Sequence, residues 1–491
     1  MSSRIARHPA WSALLVAAAL SGCKTVGPDY KAPTLGETDV PAKWTSPVDA
    51  AGAPGARAPA QKWWAELSDP ALDQLVETSF STSPSLEIAV ARLKESRSLH
   101  QQANGEGQPV VSGSGGSKRA GGDSSAPATN SWFSLNSSWE LDLFGAVQRG
   151  KEAAAAREEA RLATLADARV SLAADVADAY LSYRACQSHV ALSEADVASR
   201  ESTRKLTADS VAVGFTAPYE AVRSTASVAE ARTSLAASKA ECQQLENLIT
   251  RLTGIGRPGL MKLLAEAPTG LDRLPVPRRF DVAIPSQALM QRPDVRAAER
   301  SLAAASADIG VAEADRYPRL SFNGALGYSA TSGTGSGLLS FGDWSFGPSL
   351  SLPIFDSGRR SAAVQAARAR YDEAYAEFKA VARSAIQEVE DALTRYAAAH
   401  ERAESARVAS AQYQQYFSVV DERYRQGASN LLELENARRA MLDARQTLLG
   451  VQKERLQAWI TLNRATGGAA QYEAARPATP PALSAQAAVR P

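Results

Sequence analysis

Gly145-Ala146-Val147-Gln148-Arg149-Gly150-Lys151-Glu152 comes within one residue of a phosphate-binding loop. In such a loop glycine amides cradle phosphate, a lysine neutralises it and a Ser/Thr hydroxyl holds Mg²⁺. The stretch lies between a strand-like and a helix-like segment, as a phosphate loop should. Glu152 stands where the hydroxyl belongs, and a carboxylate there repels phosphate, so nucleotide chemistry is not expected. His100, His189 and His400 show no metal-ligand spacing, and four Met offer no soft-metal site. Ser112–Ser117 and Ser332–Gly337 do not fit the Gly-x-Ser-x-Gly nucleophile turn. The reading is a protein that is not an enzyme and needs no cofactor or metal.

The cysteines are more informative. Arg4 and Arg7, the apolar run Trp11–Leu20 and small residues before Cys23 form a secretory signal. Leu20-Ser21-Gly22-Cys23 resembles a bacterial lipobox, which implies lipidation at Cys23. Acyl chains on that residue would anchor the chain stably to outer-membrane lipid. Cys186 and Cys242 lie at equal sequence distances on either side of Gly214. In an oxidising periplasm they are expected to face each other and form a disulfide; the alternative is two small buried hydrophobes that never bond.

The elements that position these residues are unusual in length. Lys151 to Val213 contains no Gly or Pro and is rich in Ala, Leu, Glu and Arg. As one helix it would be roughly 95 Å long, beyond any ordinary domain helix. Val213-Gly214-Phe215-Thr216-Ala217-Pro218 then signals a turn, and Tyr219–Thr253 returns. Leu162, Leu165, Leu172, Val176, Ala179, Tyr183, Cys186, Val190 and Val197 form a 3,4-spaced stripe. Val228, Ala231, Leu235, Cys242, Leu245, Ile249 and Leu252 answer it, as in a coiled-coil seam.

Before this hairpin, Gln108–Ser117 is Gly- and Ser-rich, a loop is expected up to Asn130, and Trp132–Leu143 alternates. Phe133, Leu135, Trp139, Leu141 and Leu143 oppose Ser134, Asn136, Ser138, Glu140 and Asp142. That pattern suits a transmembrane β-barrel strand, and equally a soluble sheet over a core. The arrangement recurs. Val176–Gly254 aligns without a gap on Val389–Gly467, Ser83-Pro84 on Arg292-Pro293, and Phe144 on Phe355. The second copy carries two further strand patterns, separated by a Gly/Ser loop: Leu320, Phe322, Leu326 and Tyr328, then Trp344, Phe346, Leu350, Leu352 and Ile354. The chain is a tandem duplication. Four strands cannot close a barrel and open edges are not tolerated in lipid, so closure needs several copies.

Charge is balanced, 54 basic against 53 acidic residues for a net +1 over 491 residues, with no basic block. Nucleic acid is therefore not an expected partner.

The lipobox, Val26-Gly27-Pro28-Asp29-Tyr30, Trp63-Trp64 with Asp69-Pro70, Leu289-Met290-Gln291-Arg292-Pro293-Asp294-Val295 with Ala298-Glu299, and both tip turns resemble the TolC-like outer-membrane factors. Within these they resemble the lipoprotein branch serving resistance-nodulation-division efflux pumps. The resemblance implies an α+β membrane protein: a tandem-duplicated protomer of a homotrimeric 12-stranded β-barrel in the outer membrane plus a long α-helical barrel through the periplasm. A periplasmic membrane-fusion adaptor and an inner-membrane transporter would dock at its tips. The implied role is a passive exit duct for small molecules. The alternatives are a duct for type I protein secretion and, lower still, a periplasmic coiled-coil scaffold.

The same resemblance assigns a periplasmic gate. Tyr424 would bond Glu220, Glu433 and Asn436 occupy the gate-acid positions, and Ser429 stands in place of a family arginine. By threefold symmetry Glu433 would form a carboxylate ring favouring cations. Gly214, Thr216, Gly427 and Ser429 would meet the adaptor. The implied layout is a signal peptide (1–22), a lipid-anchored extended tether (23–60), a first repeat (61–254), an equatorial linker (255–281), a second repeat (282–467) and a disordered C-terminal tail (468–491).

Overall fold

The computed structural model describes residues 25–33, 44–45, 62–123, 125–266, 289, 291–333 and 336–468. Cys23, the signal peptide, most of the linker and nearly all of the tail lie outside the described residues. The chain divides into two compact units, neither of which is a repeat. One takes in residues up to Thr34, Ala91–Arg161 and Ala297–Ala380; the other takes in Leu35–Val90, Leu162–Arg296 and Val381 onward.

A short 3-10 helix, Trp63–Leu67, leads into α1 (Pro70–Thr82) and α2 (Pro84–Glu106). Asp69 caps α1 by accepting from the Ala71 amide at 3.0 Å, with proline at the first helical position. Two strands follow, β1 (Val110–Gly122) and β2 (Ser125–Leu141), then the long hairpin α3 (Ala146–Ala212) and α4 (Pro218–Thr253). The region expected to be linker begins with a helix, α5 (Arg257–Glu266). The second copy runs α6 (Pro293–Ala314), β3 (Arg319–Gly333), β4 (Ser336–Ser351), α7 (Arg359–Arg425) and α8 (Leu431–Ala465).

The strands form one antiparallel sheet in the order β1-β2-β3-β4. Most of the loop expected from Ser117 to Asn130 is strand instead, Ser117–Gly122 and Ser125–Asn130: Ser117 pairs with Ser131 and Ala120 with Ala128. Weak local propensity is overridden by the ladder, and Ser114–Ser134 and Ser117–Ser131 hydroxyl pairs at 2.8 and 2.9 Å reinforce it. The Gly/Ser loop between β3 and β4 shortens for the same reason, with Thr331 paired to Leu339. Register places apolar residues opposite one another: Leu135 with Leu326, Trp139 with Phe322, Leu326 with Trp344, Leu320 with Leu350. Trp139, Phe322 and Phe346 stack in a row, with centroids 6.4 and 6.1 Å apart. Leu326, Trp344 and Phe346 are exposed, so among the described residues nothing covers this face.

α3 and α7 are each 67 residues long and begin alike. Gly145 and Gly358 both take φ +82°, the left-handed region that glycine adopts freely. The Asp142 carboxylate accepts from the Val147 and Gln148 amides at 3.1 and 2.7 Å; Asp356 accepts from Gly358 and Arg360 at 3.1 and 3.2 Å. The phosphate-loop-like stretch is thus a capped helix start whose anion-binding amides are filled by the chain's own aspartate. Gly145 therefore has Gly358 as its structural counterpart, at the offset of 213 that the long helices share. Phe144 matches Phe355 at 211, so the second copy carries two more residues between Phe and Gly.

In the second unit Trp63, Trp64, Leu72 and Leu75 pack with Val176, Tyr180 and Leu181 of α3, Ile249 of α4 and Trp459 of α8. Trp63 and Trp459 meet edge to face at 5.4 Å. Leu172, Val176, Ala179, Tyr183 and Cys186 are buried along with Val228, Ala231, Cys242 and Ile249. Leu162 and Leu165 are only half-buried, and Ala163, Ala166 and Val170 take the buried positions at that end of α3. Among the described residues no helix is long and apolar enough to cross a membrane.

Candidate gate at the helical tips

Both tips end in the same motif. Phe215 N–H bonds the Ser210 carbonyl and Gly214 N–H the Val211 carbonyl, each at 3.0 Å; Ala428 bonds Arg423 at 2.7 Å and Gly427 bonds Tyr424 at 3.0 Å. Gly214 and Gly427 supply the positive φ, +79° and +74°, that this six-to-one closure requires. Phe215 is 87% exposed at the apex. Thr216 closes its loop through a hydroxyl contact with Ser210.

The return helices start differently. α4 begins with Pro218 and no side-chain cap. α8 is capped by Asn430, whose side chain accepts from the Glu433 amide at 2.8 Å, while the Ser429 hydroxyl donates to the Glu433 carboxylate at 2.6 Å. Glu433 is thereby held in the first turn, where the helix dipole favours a carboxylate. Ser429 thus orients the acid beside it. Asn436 is exposed one turn further on.

Tyr424 does not reach Glu220. Its hydroxyl lies 2.7 Å from that of Thr207 on α3, whose own proton goes to the Thr203 carbonyl at 2.8 Å. Tyr424 is therefore the donor. Glu220 sits in the first turn of α4, with one carboxylate oxygen buried and without a hydrogen-bond partner among the described residues. Leu431, Leu434 and Ala437 pack with Val420 and against Tyr424.

Behind the tips lies a buried ionic cluster that periodicity alone did not expose. Arg438 is fully buried. It donates to Glu435, to Ser199 at 3.2 Å and to Thr203 at 2.7 Å. Arg200 grips Asp196 with bonds of 3.0 and 2.9 Å and reaches Glu435 at 3.3 Å; Ser227 of α4 also donates to Glu435 at 3.3 Å. Two cations and two anions balance, joining α3, α4 and α8. Burial pushes the Asp196 carboxyl up from its ordinary value against the pull of Arg200. The signal was present in the sequence: beyond Val190 the α3 stripe turns polar at Ser193, Asp196, Ser199, Thr203 and Thr207, and Arg438 takes a seam position between Leu434 and Met441.

Further along the hairpin, Cys186 and Cys242 are joined, their Cα atoms 5.6 Å apart. No group of three or more metal-ligating side chains occurs among the described residues.

The model for the family described as outer membrane efflux protein matches residues 75–255 and 284–468. Nodulation protein T of Rhizobium leguminosarum bv. viciae is 30% identical, the match covering 93% of each chain. Outer membrane protein OprJ of Pseudomonas aeruginosa is also 30% identical, over 94% of this chain and 96% of its own. The outer-membrane channel OprN superposes with a TM-score of 0.79 at 32% identity, over 91% of this chain and all of that one. The open-state MtrE outer membrane channel of Neisseria gonorrhoeae gives 0.79 at 25% identity, over 91% of this chain and 99% of that one. With a duplicated strand-and-long-hairpin architecture shared over nearly its whole length, the chain belongs to the outer membrane efflux protein family and has the fold of a TolC-like channel protomer.

Proposed function

We infer that this chain is the outer-membrane exit duct of a tripartite efflux pump, conducting small molecules passively and gated at its helical tips. The observation that carries the reading is the four-stranded sheet with one exposed apolar face and, among the described residues, unpaired edges at β1 and β4. Such a sheet is stable in lipid only when copies join edge to edge, and three copies supply a 12-stranded barrel. Cys23 acylation would add a lipid anchor, and the tip loops around Gly214 and Gly427 would receive a membrane-fusion adaptor and, through it, an inner-membrane transporter.

The gate follows from the tip chemistry. The tip half of the α3 interior is lined by hydroxyls and ion pairs rather than by a continuous apolar seam, so less hydrophobic adhesion holds the hairpins together there. Polar contacts can be exchanged for water as the hairpins part. Glu433, repeated by threefold symmetry, places a carboxylate ring at the constriction and favours cations.

Single-channel conductance in planar bilayers tests this. Wild type should show a small cation-preferring conductance, Glu433→Ala should lose the preference, and Tyr424→Phe should open more often. A folded trimer that never conducts would instead make the protein a sealed scaffold.

A further inference from the structure

We propose that residues 25–30 are a built-in ligand for a site formed by α3 and α6, and that this clasp, with Arg149 as its positioning residue, couples lipid anchoring to barrel assembly. The proposal rests on the reading that Cys23 is acylated.

The site is specific. The Val26 amide bonds the Phe144 carbonyl at 3.1 Å. The Arg149 side chain, 7% exposed, donates to the carbonyls of Val26 and Gly27 at 3.2 and 3.4 Å, to Asp29 at 2.7 Å and to Glu152 at 2.8 Å. Asp29 is 89% exposed, so that ion pair contributes little and the backbone carbonyls matter more. The Tyr30 hydroxyl donates to Glu299 at 2.6 Å, and its ring packs on Ala156, Ala303 and Ala304.

Two glycines make the approach possible. Gly27 has φ +86°, and a Cβ there would stand 2.4 Å from the Gly310 Cα. A Cβ on Gly310 would stand 2.7 Å from the Arg149 Cγ. Glycine inside a helix is costly, yet α6 keeps one where the segment and the arginine converge. The duplicated copy has none of this: Arg149 aligns with Ala362 and Gly310 with Gln101. The site therefore exists once per protomer, as a chain has one amino terminus.

The placement ties the anchor to the sheet. Thr25 lies against Gly145, just after β2 ends. Thr25 is two residues from the acylation position, a chain length of about 7 Å at most. An anchor on this strut delivers the strands to the bilayer; one on a free tether does not.

The test uses the full chain with its own amino terminus, as wild type, Gly27→Ala and Arg149→Met. Gly27 lies outside the helices and strands, so its variant leaves them intact. Three quantities are read: deuterium exchange over residues 25–33, palmitate incorporation, and SDS-resistant trimer in the outer-membrane fraction. Both variants should exchange about tenfold faster or more over this segment, incorporate palmitate normally and yield several-fold less trimer, while the trimers that form conduct as wild type. Unchanged exchange overturns the clasp. Fast exchange with full trimer yield overturns the coupling. Wild type that takes up no palmitate removes the acyl anchor, and the coupling with it, without touching the duct.

Discussion

The Tyr424 hydroxyl stands 2.7 Å from the Thr207 hydroxyl, linking the last turn of α7 to α3 across the two hairpins. One such bond is worth about 1 kcal/mol, or about fivefold in an opening equilibrium. Tyr424→Phe and Thr207→Val should each raise single-channel open probability by that order, and the double variant no further. Glu220→Gln should leave it near wild type. A large effect of Glu220→Gln, with none from Thr207→Val, would restore the pairing expected from family resemblance.

Arg438 is fully buried between Glu435, Ser199 and Thr203. Glu435→Leu leaves a buried guanidinium short of a counter-charge and should cost about 3–5 kcal/mol of stability, whereas Glu435→Leu with Arg438→Met should cost less. Thermal unfolding of the purified trimer compares the two; equal losses would show that the charges are not coupled.

Burial, with the Asp294 carboxylate nearby, holds the Asp167 carboxyl above its ordinary value, against Arg292 and Arg464. Glu388 also faces it, so Asp167 is the unbalanced third anion beside two cations. A raised carboxyl binds its proton more tightly in the folded state, so its stabilising share is present at low pH and lost as pH rises through the folded pKa. Asp167→Asn should therefore melt higher than wild type at pH 7. The difference should shrink on acidification and vanish below 3.8, the ordinary aspartate value. A gap that widens in acid would reverse the sign.

Cys186 and Cys242 close a loop across the hairpin at a sequence separation of 56, worth about 4 kcal/mol on the chain-entropy account. The protein purified from the periplasmic face should show no free thiol without reductant. Reduction, or Cys186→Ala with Cys242→Ala, should lower thermal stability while leaving conductance intact. Alanine fits at the Cys186 position because the equivalent Ala399 is already fully buried in the second hairpin.

Leu326 is exposed on the apolar face, and Ala325 points to the opposite face. Leu326→Arg should cost about 2–4 kcal/mol in the bilayer and deplete inserted trimer. Ala325→Arg should insert and alter ion preference instead. Equal insertion of both would mean that lipid does not cover the apolar face.

The sequence by itself determined the long helices, the duplication, the tip turns and the alternating halves of three strands, because each is written in local signals. An absence of Gly and Pro, a 3,4 or 2 period and a glycine at a turn act over a few residues. What only tertiary structure decided were partnerships across the chain. Residues Ser117–Gly122 and Ser125–Asn130 became strand because neighbouring strands satisfied their backbone. Tyr424 found Thr207 because α7 and α3 lie side by side there. Arg438 and Arg200 share the carboxylates of Glu435 and Asp196, which brings residues of α3 and α8 more than 200 positions apart into one balanced cluster. Gly310 gained its meaning only when residues 25–30 folded onto it, since a close approach between distant backbones leaves no periodic trace in either.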